Sequence, residues 1–445
     1  MMNEQLQQFL TGRIWLRAHT SFPREVIDDH IHSGHIHLKP GIETIHSHSI
    51  FQSNKYICNR CHNINPSLFY SFPCSRCNQT CTYCRHCIRM GRVSSCSELM
   101  TWVKEPAKGT TKDVFNWNGQ LTPLQQKASE ELLRSVQNNQ SHLLHAVCGA
   151  GKTELLFPSI YASLQAGKRV CVAAPRTDVI LELFPRFQKV FPKTIIHALY
   201  GGAPDQEGFA TLVLATTHQL YRFEHAFDVV FVDEADAFPY YADKTLQQAV
   251  IKAGKPEAAI HYVTATPTDS LQTTNQSILS MRYHGYPLPV PRFDSLFGYT
   301  KQLKKGKVPK KLQQWIDDNI QNNIPFLVFL PTIEMLEQFP GDLPRVHAEH
   351  PERKERVMQL REKKVPGLLT TTILERGITI ENVHVAVVGA EQAIFTASAL
   401  IQISGRVGRS SSHPDGDIVF FHHGVSHAMD EAKDEIERWN ELSFV

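Results

Sequence analysis

A short glycine-rich stretch, AVCGAGKTE at residues 146–154, constrains the fold of this chain more than any other segment. It follows an apolar run that predicts a buried strand, and it precedes a helical pattern. A strand, a turn and a helix in that order are typical of a phosphate-binding loop in an α/β domain. The strict pattern begins with glycine where this chain has Ala146, so the match is to the second half of the motif.

The loop contains the groups that a nucleotide phosphate requires. Backbone N–H groups around Gly149, Ala150 and Gly151 can cradle phosphate oxygens at the N-terminus of the following helix. The Lys152 ammonium would reach the β- and γ-phosphates, and the Thr153 hydroxyl would bind magnesium. We therefore predict a site for ATP and Mg²⁺ here.

A pair of carboxylates ends a second apolar run, VVFVDEADAF at residues 229–238. Asp233, at the C-terminal end of the predicted strand, could hold the magnesium together with Thr153. The adjacent Glu234 could orient and deprotonate the attacking water. With a phosphate loop upstream, this pair predicts ATP hydrolysis.

Apolar runs alternate with helical patterns from about residue 115 onward, which is typical of buried parallel strands followed by helices. A stretch rich in Pro, Gly and Lys interrupts the alternation near 285–305 and indicates a domain boundary. The N-terminal fifty residues predict strands and turns. The sequence thus predicts an N-terminal segment, a cysteine-rich module and two α/β domains, with bounds 1–55, 56–112, 115–290 and 300–445.

No apolar run is long enough to cross a bilayer, and the first residues lack the pattern of a signal peptide. We therefore expect a cytoplasmic protein. Thiols stay reduced in that compartment, so clustered cysteines there favour a metal site over disulfides.

Eight cysteines fall within residues 58–96, most of them in C-x2-C pairs. Each pair can present two thiolates to one metal, and two pairs complete a tetrahedron with no open position for chemistry. An iron–sulfur cluster is the lesser alternative, because the spacing is unlike that of a ferredoxin. The pattern predicts one or two structural zinc ions, with ligands Cys58, Cys61, Cys74, Cys77, Cys81, Cys84, Cys87 and Cys96.

Spacing leaves the pairing of these ligands open. A sequential scheme assigns the first four cysteines to one zinc and the last four to another. An interleaved scheme joins the pair Cys58 and Cys61 to the pair Cys81 and Cys84, across a gap of 19 residues. That gap falls inside the usual zinc-ribbon range of about 15–20, so the interleaved scheme is slightly favoured.

The cysteine region is also basic. Residues 51–97 carry a formal charge of +6 with no Asp or Glu, and two zinc sites of four thiolates would lower it to about +2. Its arginines and aromatic residues could contact DNA phosphates and bases. Alternatively, the aromatic residues form the small core of a module that contacts only a partner. The sequence leaves both possibilities open.

The second α/β domain carries QISGRVGRS at residues 402–410. Arg406 and Arg409 lie three residues apart, which predicts that they share one helical face. They could reach the γ-phosphate held by the first domain, so that the nucleotide state controls the cleft between the domains.

Taken in order, the motifs LTPLQ, GAGKT, DEAD, TATP, TTTILERGIT and QISGRVGR resemble those of superfamily-two helicases and translocases over about residues 118–445. The resemblance implies that Gln125 reads the adenine base and that Gly377 lies at the nucleotide. Two further segments, APRTD and ATTHQ, resemble strand-binding motifs. The implied DNA contacts are Arg176, Thr216, Thr370, Thr371 and Thr372.

The segments APRTD, TAT and QISGRVGR differ from their counterparts in RNA helicases of the DEAD-box type and look more like those of DNA-directed translocases. With YICNRC and YCRHCIRMGRVS placed before the motor, the chain resembles the ComFA family of competence ATPases. The resemblance implies two tandem RecA-like helicase domains preceded by a small cysteine-rich zinc-binding domain. It also implies a motor on single-stranded DNA that drives the uptake of transforming DNA.

The same resemblance implies the partners: single-stranded DNA, a membrane DNA-uptake channel, other competence proteins similar to ComFC and DprA, and further copies of the chain. A cytoplasmic motor would then work at the inner face of the membrane through a partner. Two alternatives stay open. One is a helicase of the replication-restart type, and the other is a nucleotide-gated scaffold for DNA or protein with slow ATPase activity.

Overall fold

The fold was analysed in a computed structural model, which describes residues 2–45, 55–109, 114–204, 206, 208–268, 271, 273, 275–347, 350–371 and 380–443. The chain divides into two compact units. The first unit comprises Met1–Leu121, Gln126–Leu144 and Leu155–Ser277. The second unit comprises Thr122–Gln125, His145–Glu154 and Ile278–Val445. The phosphate loop therefore belongs with the second unit.

Helices and strands alternate through most of the described chain. The helices are α1 Glu4–Leu10, α2 Arg24–His32, α3 Pro123–Gln137, α4 Lys152–Gln165, α5 Thr177–Val190, α6 Lys244–Ala253, α7 Tyr299–Lys304, α8 Lys310–Gln321, α9 Ile333–Glu337, α10 Arg353–Arg361, α11 Ala397–Ser404 and α12 His427–Leu442. The strands β1 to β10 are Ile14–Leu16, Ile36–Pro40, Ile42–Ile45, Lys55–Cys58, Phe69–Cys74, Gln79–Cys84, Glu98–Trp102, His142–Ala146, Val170–Ala174 and Ile196–Leu199. The strands β11 to β20 are Leu212–Thr216, Phe227–Asp233, Gly254–Thr264, Asn275–Leu279, Arg292–Ser295, Phe326–Phe329, Arg345–Val346, Gly367–Thr370, His384–Val388 and Ile418–His422.

Two parallel sheets confirm the predicted pair of α/β domains. One has the strand order β10-β11-β9-β12-β13-β8-β14, and the other has the order β15-β20-β19-β16-β18-β17. The pairs that join β9, β11, β12 and β13 are parallel, as are the pairs in the second sheet. Continuous apolar runs form these strands because helices cover both faces of a parallel sheet. The sheets place loops at the C-terminal ends of the strands, where ligands bind in such folds.

The helix before the phosphate loop has a capped N-terminus. Helix α3 begins at Pro123, and the Thr122 hydroxyl accepts a hydrogen bond from the backbone N–H of Gln125 at 3.3 Å. An N–H group at the first helical position has no acceptor within the helix. Proline, which lacks this group, therefore does not weaken the helix there.

The N-terminal region contains helices as well as strands, so the prediction of strands and turns alone was wrong. The antiparallel sheet β1-β7-β2 packs with α1 and α2. The Asn3 side chain accepts from the N–H of Leu6 and caps α1, while α2 starts directly after Pro23. These local signals are short, and the shared core of Leu6, Leu10, Ile27, Ile36 and Met100 stabilises both helices. No helix in the described residues is long and apolar enough to span a bilayer.

Candidate nucleotide site and metal centres

The loop between β8 and α4 has the backbone shape of a phosphate cradle. Gly149 and Gly151 have φ angles of 81° and 74°, a region that disfavours residues with a Cβ. A Cβ on Gly151 would lie 2.7 Å from Nε2 of Gln125, so only glycine permits this close approach. Helix α4 begins at Lys152, and the first N–H groups of a helix have no acceptor within the helix, so they can bind an anion. The Lys152 ammonium donates to the Ala146 carbonyl at 3.1 Å.

Gln125 braces this loop. Its Nε2 donates to the carbonyl of Ala150 at 2.8 Å, and its Oε1 accepts from the N–H of Thr122 at 2.8 Å. Both ends of the carboxamide are thus engaged with the backbone. The role of Gln125 as a reader of adenine stays a prediction, and the observed role is to hold the phosphate loop against the start of α3.

Arg282 is a site residue that the sequence reasoning missed. Only 2% of it is exposed, and its guanidinium donates to five backbone carbonyls. The acceptors are Tyr286, Pro287, Val407, Gly408 and Pro414. Its Cδ would lie 3.3 Å from a Cβ built on Gly149. Arg282 therefore connects the phosphate loop to the turn that carries Arg406 and Arg409.

The prediction that Arg406 and Arg409 share a helical face is wrong. Helix α11 ends at Ser404, and both arginines lie in the following turn. Gly408 has a φ of 70°, which breaks the helical path. The carbonyl of Gly408 is also used by outside donors, because it accepts from Arg282 and lies 3.0 Å from Nε2 of His284.

The two arginines differ in their surroundings. Arg406 is buried, whereas Arg409 is half-buried and donates from Nε to the carbonyl of Gly405 at 2.9 Å. A second link to the phosphate loop lies nearby, since Sγ of Cys148 is 3.2 Å from Oε1 of Gln402. Cys148 is therefore a buried residue that also donates a hydrogen bond to the segment QISGRVGR.

Replacing Arg282 with alanine should lower the turnover number of ATP hydrolysis by about 10- to 100-fold, because a displaced arginine turn misplaces the groups at the γ-phosphate. The Michaelis constant for ATP should change less than the turnover number. Arg282→Lys should lower the turnover number by a similar factor, since an ammonium has too few N–H groups to donate hydrogen bonds to five carbonyls, as the planar guanidinium does. Steady-state kinetics of both variants tests this.

The exposed Arg438 of α12 supplies the matched control for the Arg282 variants. Arg438→Ala should leave both kinetic constants unchanged. An Arg282→Ala protein with normal turnover would contradict the positioning role. The positioning role would also be contradicted if Arg282→Ala lost turnover and thermal stability to the same extent and Arg282→Lys restored both. Restoration by a lysine would show that a positive charge suffices and that the guanidinium geometry is not needed.

In the first unit, the predicted carboxylates end strand β12. Asp233 is its last residue and is buried. Glu234 follows with a φ of 52°, an uncommon conformation for a residue with a side chain. Its N–H donates to Oδ1 of Asp233 at 2.9 Å, and its carbonyl accepts from Ala237 at 2.8 Å. Such backbone outliers concentrate at functional sites.

The third acidic residue of DEAD, Asp236, connects to the segment TATP. Its Oδ1 accepts from the Thr264 hydroxyl at 2.5 Å, and its Oδ2 accepts from the Thr266 hydroxyl at 2.5 Å. Asp236 and Thr264 are both buried. A change at the carboxylates would reach TATP through two charge-assisted hydrogen bonds.

The predicted DNA contacts have different exposures. Thr216 ends β11 and is only 5% exposed, whereas His218 of the same segment is exposed. Arg176 is half-buried and precedes α5. Thr370 is buried at the end of β18, and its hydroxyl donates to the carbonyl of Thr371 at 3.1 Å. Two predicted residues, Thr372 and Gly377, lie outside the described residues.

The eight clustered cysteines form two groups of four. The inner group consists of Cys58, Cys61, Cys84 and Cys87, and the outer group consists of Cys74, Cys77, Cys81 and Cys96. Within each group all sulfur atoms lie within 4.8 Å of one another. Two sulfur pairs of the inner group are 3.8 and 3.7 Å apart, which agrees with the roughly 3.8 Å expected around zinc with bonds of about 2.3 Å. Both donor sets fit a tetrahedral zinc.

Both pairings inferred from spacing are wrong, because Cys81 and Cys84 belong to different groups. They lie on strand β6, three residues apart, so their side chains point to opposite faces. Cys81 is opposite Phe72 and Cys84 is opposite Phe69 in the hairpin β5–β6. The functional turn is therefore Cys84-x2-Cys87, which continues past the end of the strand.

The inner group is part of the core of the first unit. Its four sulfurs are buried in one cluster with motor residues that include Leu220, Phe223 and Phe227. By contrast, Cys77 and Cys96 of the outer group are only partly buried. The cysteine module is therefore packed into the motor domain at one end and more exposed at the other.

Arg60, inside the first C-x2-C turn, joins the two turns of the inner group. Its guanidinium donates to the carbonyls of Cys87 and Gly91 at 2.6 Å each. The carbonyl of Arg60 in turn accepts from the ammonium of Lys252 on α6, which also donates to Tyr221 at 3.1 Å. These contacts connect the module to the motor through polar as well as apolar groups.

Comparison with known proteins identifies three matching family models. Residues 1–101 match the competence protein ComFA N-terminal domain, residues 118–269 match the type III restriction enzyme res subunit, and residues 307–411 match the helicase conserved C-terminal domain. The competence protein ComFA of Bacillus subtilis is 41% identical, covering 99% of this chain and 96% of that protein. The competence protein ComFA of Streptococcus pneumoniae is 39% identical, covering 82% and 90%.

A solved structure, S. cerevisiae Dbp5 bound to RNA and ADP BeF3, covers 72% of this chain and 88% of its own. The TM-score is 0.54 and the identity is 14%, which shows a shared fold. With the family models, this confirms two tandem RecA-like helicase domains preceded by an N-terminal domain whose cysteines could bind metal.

Proposed function

Because the chain belongs to the ComFA family of competence proteins, we propose that this helicase-like ATPase is a translocase on single-stranded DNA that drives the uptake of transforming DNA. The main support is the contact of Arg282 with both the phosphate loop and the arginine turn. A motor needs such a link, since nucleotide binding must change how its parts are held.

The proposed chemistry uses the residues that the helicase motifs supply. Lys152 binds the β- and γ-phosphates, and Glu234 accepts the proton of the attacking water. Arg406 and Arg409 stabilise the charge that develops on the γ-phosphate. Magnesium, held through Thr153 and Asp233, neutralises phosphate charge when it is bound.

The proposed route from hydrolysis to movement starts beside Glu234. Asp236 lies two residues further on and accepts hydrogen bonds from Thr264 and Thr266. A shift of the carboxylate segment during hydrolysis would therefore move TATP. The DNA strand would be held by Arg176 and by backbone groups near Thr216 and in the segment 370–372.

The proposed setting follows the family. A pulling motor must be anchored, so we propose that it works with a membrane DNA-uptake channel and with competence proteins similar to ComFC and DprA, at the inner face of the membrane. Association with further copies of the chain belongs to the same proposal. The two cysteine groups would each hold one structural zinc.

Single-stranded DNA should raise the rate of ATP hydrolysis about tenfold or more, which corresponds to about 1.4 kcal/mol of barrier lowering. Duplex DNA and RNA should stimulate less. The measurement is a multiple-turnover ATPase assay of the full chain with four nucleic acids: single- and double-stranded DNA and RNA.

The two alternatives give different results in that assay and its extension. Lack of stimulation by any nucleic acid would exclude a motor and favour the nucleotide-gated scaffold. A parallel unwinding assay on a forked duplex separates the remaining cases. Efficient unwinding would favour a helicase of the replication-restart type, and translocation without unwinding would favour uptake.

A further inference from the structure

The outer part of the cysteine module is an exposed hairpin, β5–β6, with three aromatic rings on one face. Tyr70 is opposite Tyr83 in the register, and Phe72 lies on the same side of β5 as Tyr70. The ring centroids of Tyr70 and Tyr83 are 5.9 Å apart, and those of Phe72 and Tyr83 are 5.6 Å apart. Tyr70 is 58% exposed, whereas Phe72 and Tyr83 are half-buried, so this face is open to solvent at Tyr70 and partly covered at the other two rings.

These three rings differ from the other aromatic residues of the module. Tyr56 and Phe69 pack against the buried core that includes the inner cysteines. Their centroids lie 5.6 Å apart on the inner side. The aromatic residues of the module thus form two groups. Tyr56 and Phe69 pack in the core, whereas Tyr70, Phe72 and Tyr83 lie on the outer face, and packing in the core does not explain their presence there.

Four exposed arginines lie in the hairpin or shortly after it in the sequence, and one of them contacts an outward ring. The guanidinium of Arg92 lies 4.7 Å from the centroid of Phe72, and Arg76 is in the turn between the strands. Arg85 and Arg89 follow β6, and all four arginines are exposed. None of them forms an ion pair within the described part of the chain, and residues 55–97 contain no Asp or Glu. Even with two charges subtracted for a zinc in the outer group, these arginines leave this surface positive.

The same surface continues toward a candidate DNA-binding motif. Nε2 of His86, between Arg85 and the inner ligand Cys87, lies 2.7 Å from the hydroxyl of Tyr221. Tyr221 lies in the short helical segment Thr217–Arg222, which includes His218 of ATTHQ, and its ring packs against that of His218. The hairpin is therefore anchored to the segment that carries the exposed His218.

We propose that the hairpin β5–β6 is a binding surface for single-stranded DNA, with Tyr70, Phe72 and Tyr83 stacking on bases and the arginines contacting phosphates. Stacking rings combined with unpaired cations are typical of sites that bind single strands without sequence preference. The surface would guide the strand toward ATTHQ. This inference rests on the proposed function, because it names a further contact of the same DNA substrate.

Single-stranded DNA fits this surface better than an acidic protein does. A protein interface is expected to bury a continuous apolar centre, whereas the rings here alternate with Ser71 and are bordered by arginines. The bases of a single strand are planar and unpaired, so they can stack on exposed aromatic rings. In a duplex the bases are paired and stacked on each other, so they are not available to such rings. An acidic protein partner is the other outcome of the test below.

Tyr70→Ala should raise the dissociation constant of the full chain for a fluorescent oligothymidylate about tenfold, since loss of one stacked base has an effect of that size. Tyr70→Phe keeps the ring and should bind like the wild type. The double variant Arg76→Ala/Arg85→Ala should reduce the slope of log K against log salt by about 1.4, because two phosphate contacts are lost. Fluorescence anisotropy over a range of salt concentrations gives all three values.

The zinc content and melting temperature of each variant show whether the hairpin remains folded. If Tyr70→Ala loses zinc, the salt dependence of DNA binding by Arg76→Ala/Arg85→Ala is the measurement that tests the inference. If the variants bind DNA with the affinity and salt slope of the wild type, and DNA still stimulates the ATPase, the inference is overturned. The proposed function would then remain intact, and a protein partner for the hairpin would be favoured. If the wild type itself shows no DNA stimulation, the proposed function fails instead.

Discussion

Replacing Lys152 with alanine will reduce ATP hydrolysis by at least about 10²-fold, with or without DNA. The ammonium lies at the start of α4 beside the cradle of Gly149 and Gly151. It is the cationic side chain that the loop itself offers to the β- and γ-phosphates, and removal of one such preorganised group costs about 10²–10³ in rate. An ATPase assay at saturating nucleotide measures the loss.

The fold should survive this substitution, because among the residues that the structure describes the Lys152 ammonium donates a single hydrogen bond, to the Ala146 carbonyl. The melting temperature without nucleotide should therefore match that of the wild type, while the stabilisation by added nucleotide should shrink. Lys193→Ala, which changes an exposed lysine of the first unit, is the matched control. Near-normal hydrolysis in Lys152→Ala would place the nucleotide site elsewhere.

Cys84→Ser and Cys96→Ser should differ sharply in their effect on stability. Cys84 belongs to the inner group, which shares a core with Leu220 and Phe227. Loss of that metal should lower the free energy of unfolding by more than about 4 kcal/mol, because metal binding and folding are coupled there. The melting temperature of the first unit should fall by roughly 10 °C.

Cys96 belongs to the half-exposed outer group, so its replacement should reduce the zinc content from two to about one and leave the melting of the motor nearly unchanged. Calorimetry and metal analysis of both variants provide the comparison. Equal melting temperatures for the two variants would refute the distinction between an inner and an outer site. A well-folded wild-type protein without zinc would refute both sites.

The sequence predicts the two helicase domains well because their signals are local. Buried parallel strands are continuous apolar runs, and β9, β11, β12 and β13 are recognisable without any knowledge of their neighbours. The carboxylates and the phosphate loop each follow such a strand. Their positions in the fold are thus determined by residues only a few places away.

Local signals did not predict which cysteines share a metal, because the grouping depends on whether each C-x2-C segment is a turn or part of a strand. A signal for the correct answer exists: FYSFPC and QTCTYC flank the turn CSRCN and alternate as hairpin strands do. That alternation puts Cys81 and Cys84 on opposite faces. A rule based on spacing alone assumes that every such pair is a turn.

The role of Arg282 had no local signal. It lies in a segment without regular structure, and its acceptors include Val407, Gly408 and Pro414, more than a hundred residues further along the chain. Contacts of this length are determined by tertiary packing, which no short pattern encodes.

The burial of the inner cysteines beside motor residues has a consequence for how the protein is made. Cys58, Cys61, Cys84 and Cys87 leave the ribosome well before Leu220 and its neighbours, and N-terminal parts of a chain fold first. The metal-loaded turns would then be finished before β11, β12 and α6 exist, and these elements would condense onto them. With the zinc proposed for the inner group, a cell short of that metal would lose this ATPase during its synthesis, before any nucleotide or DNA is encountered.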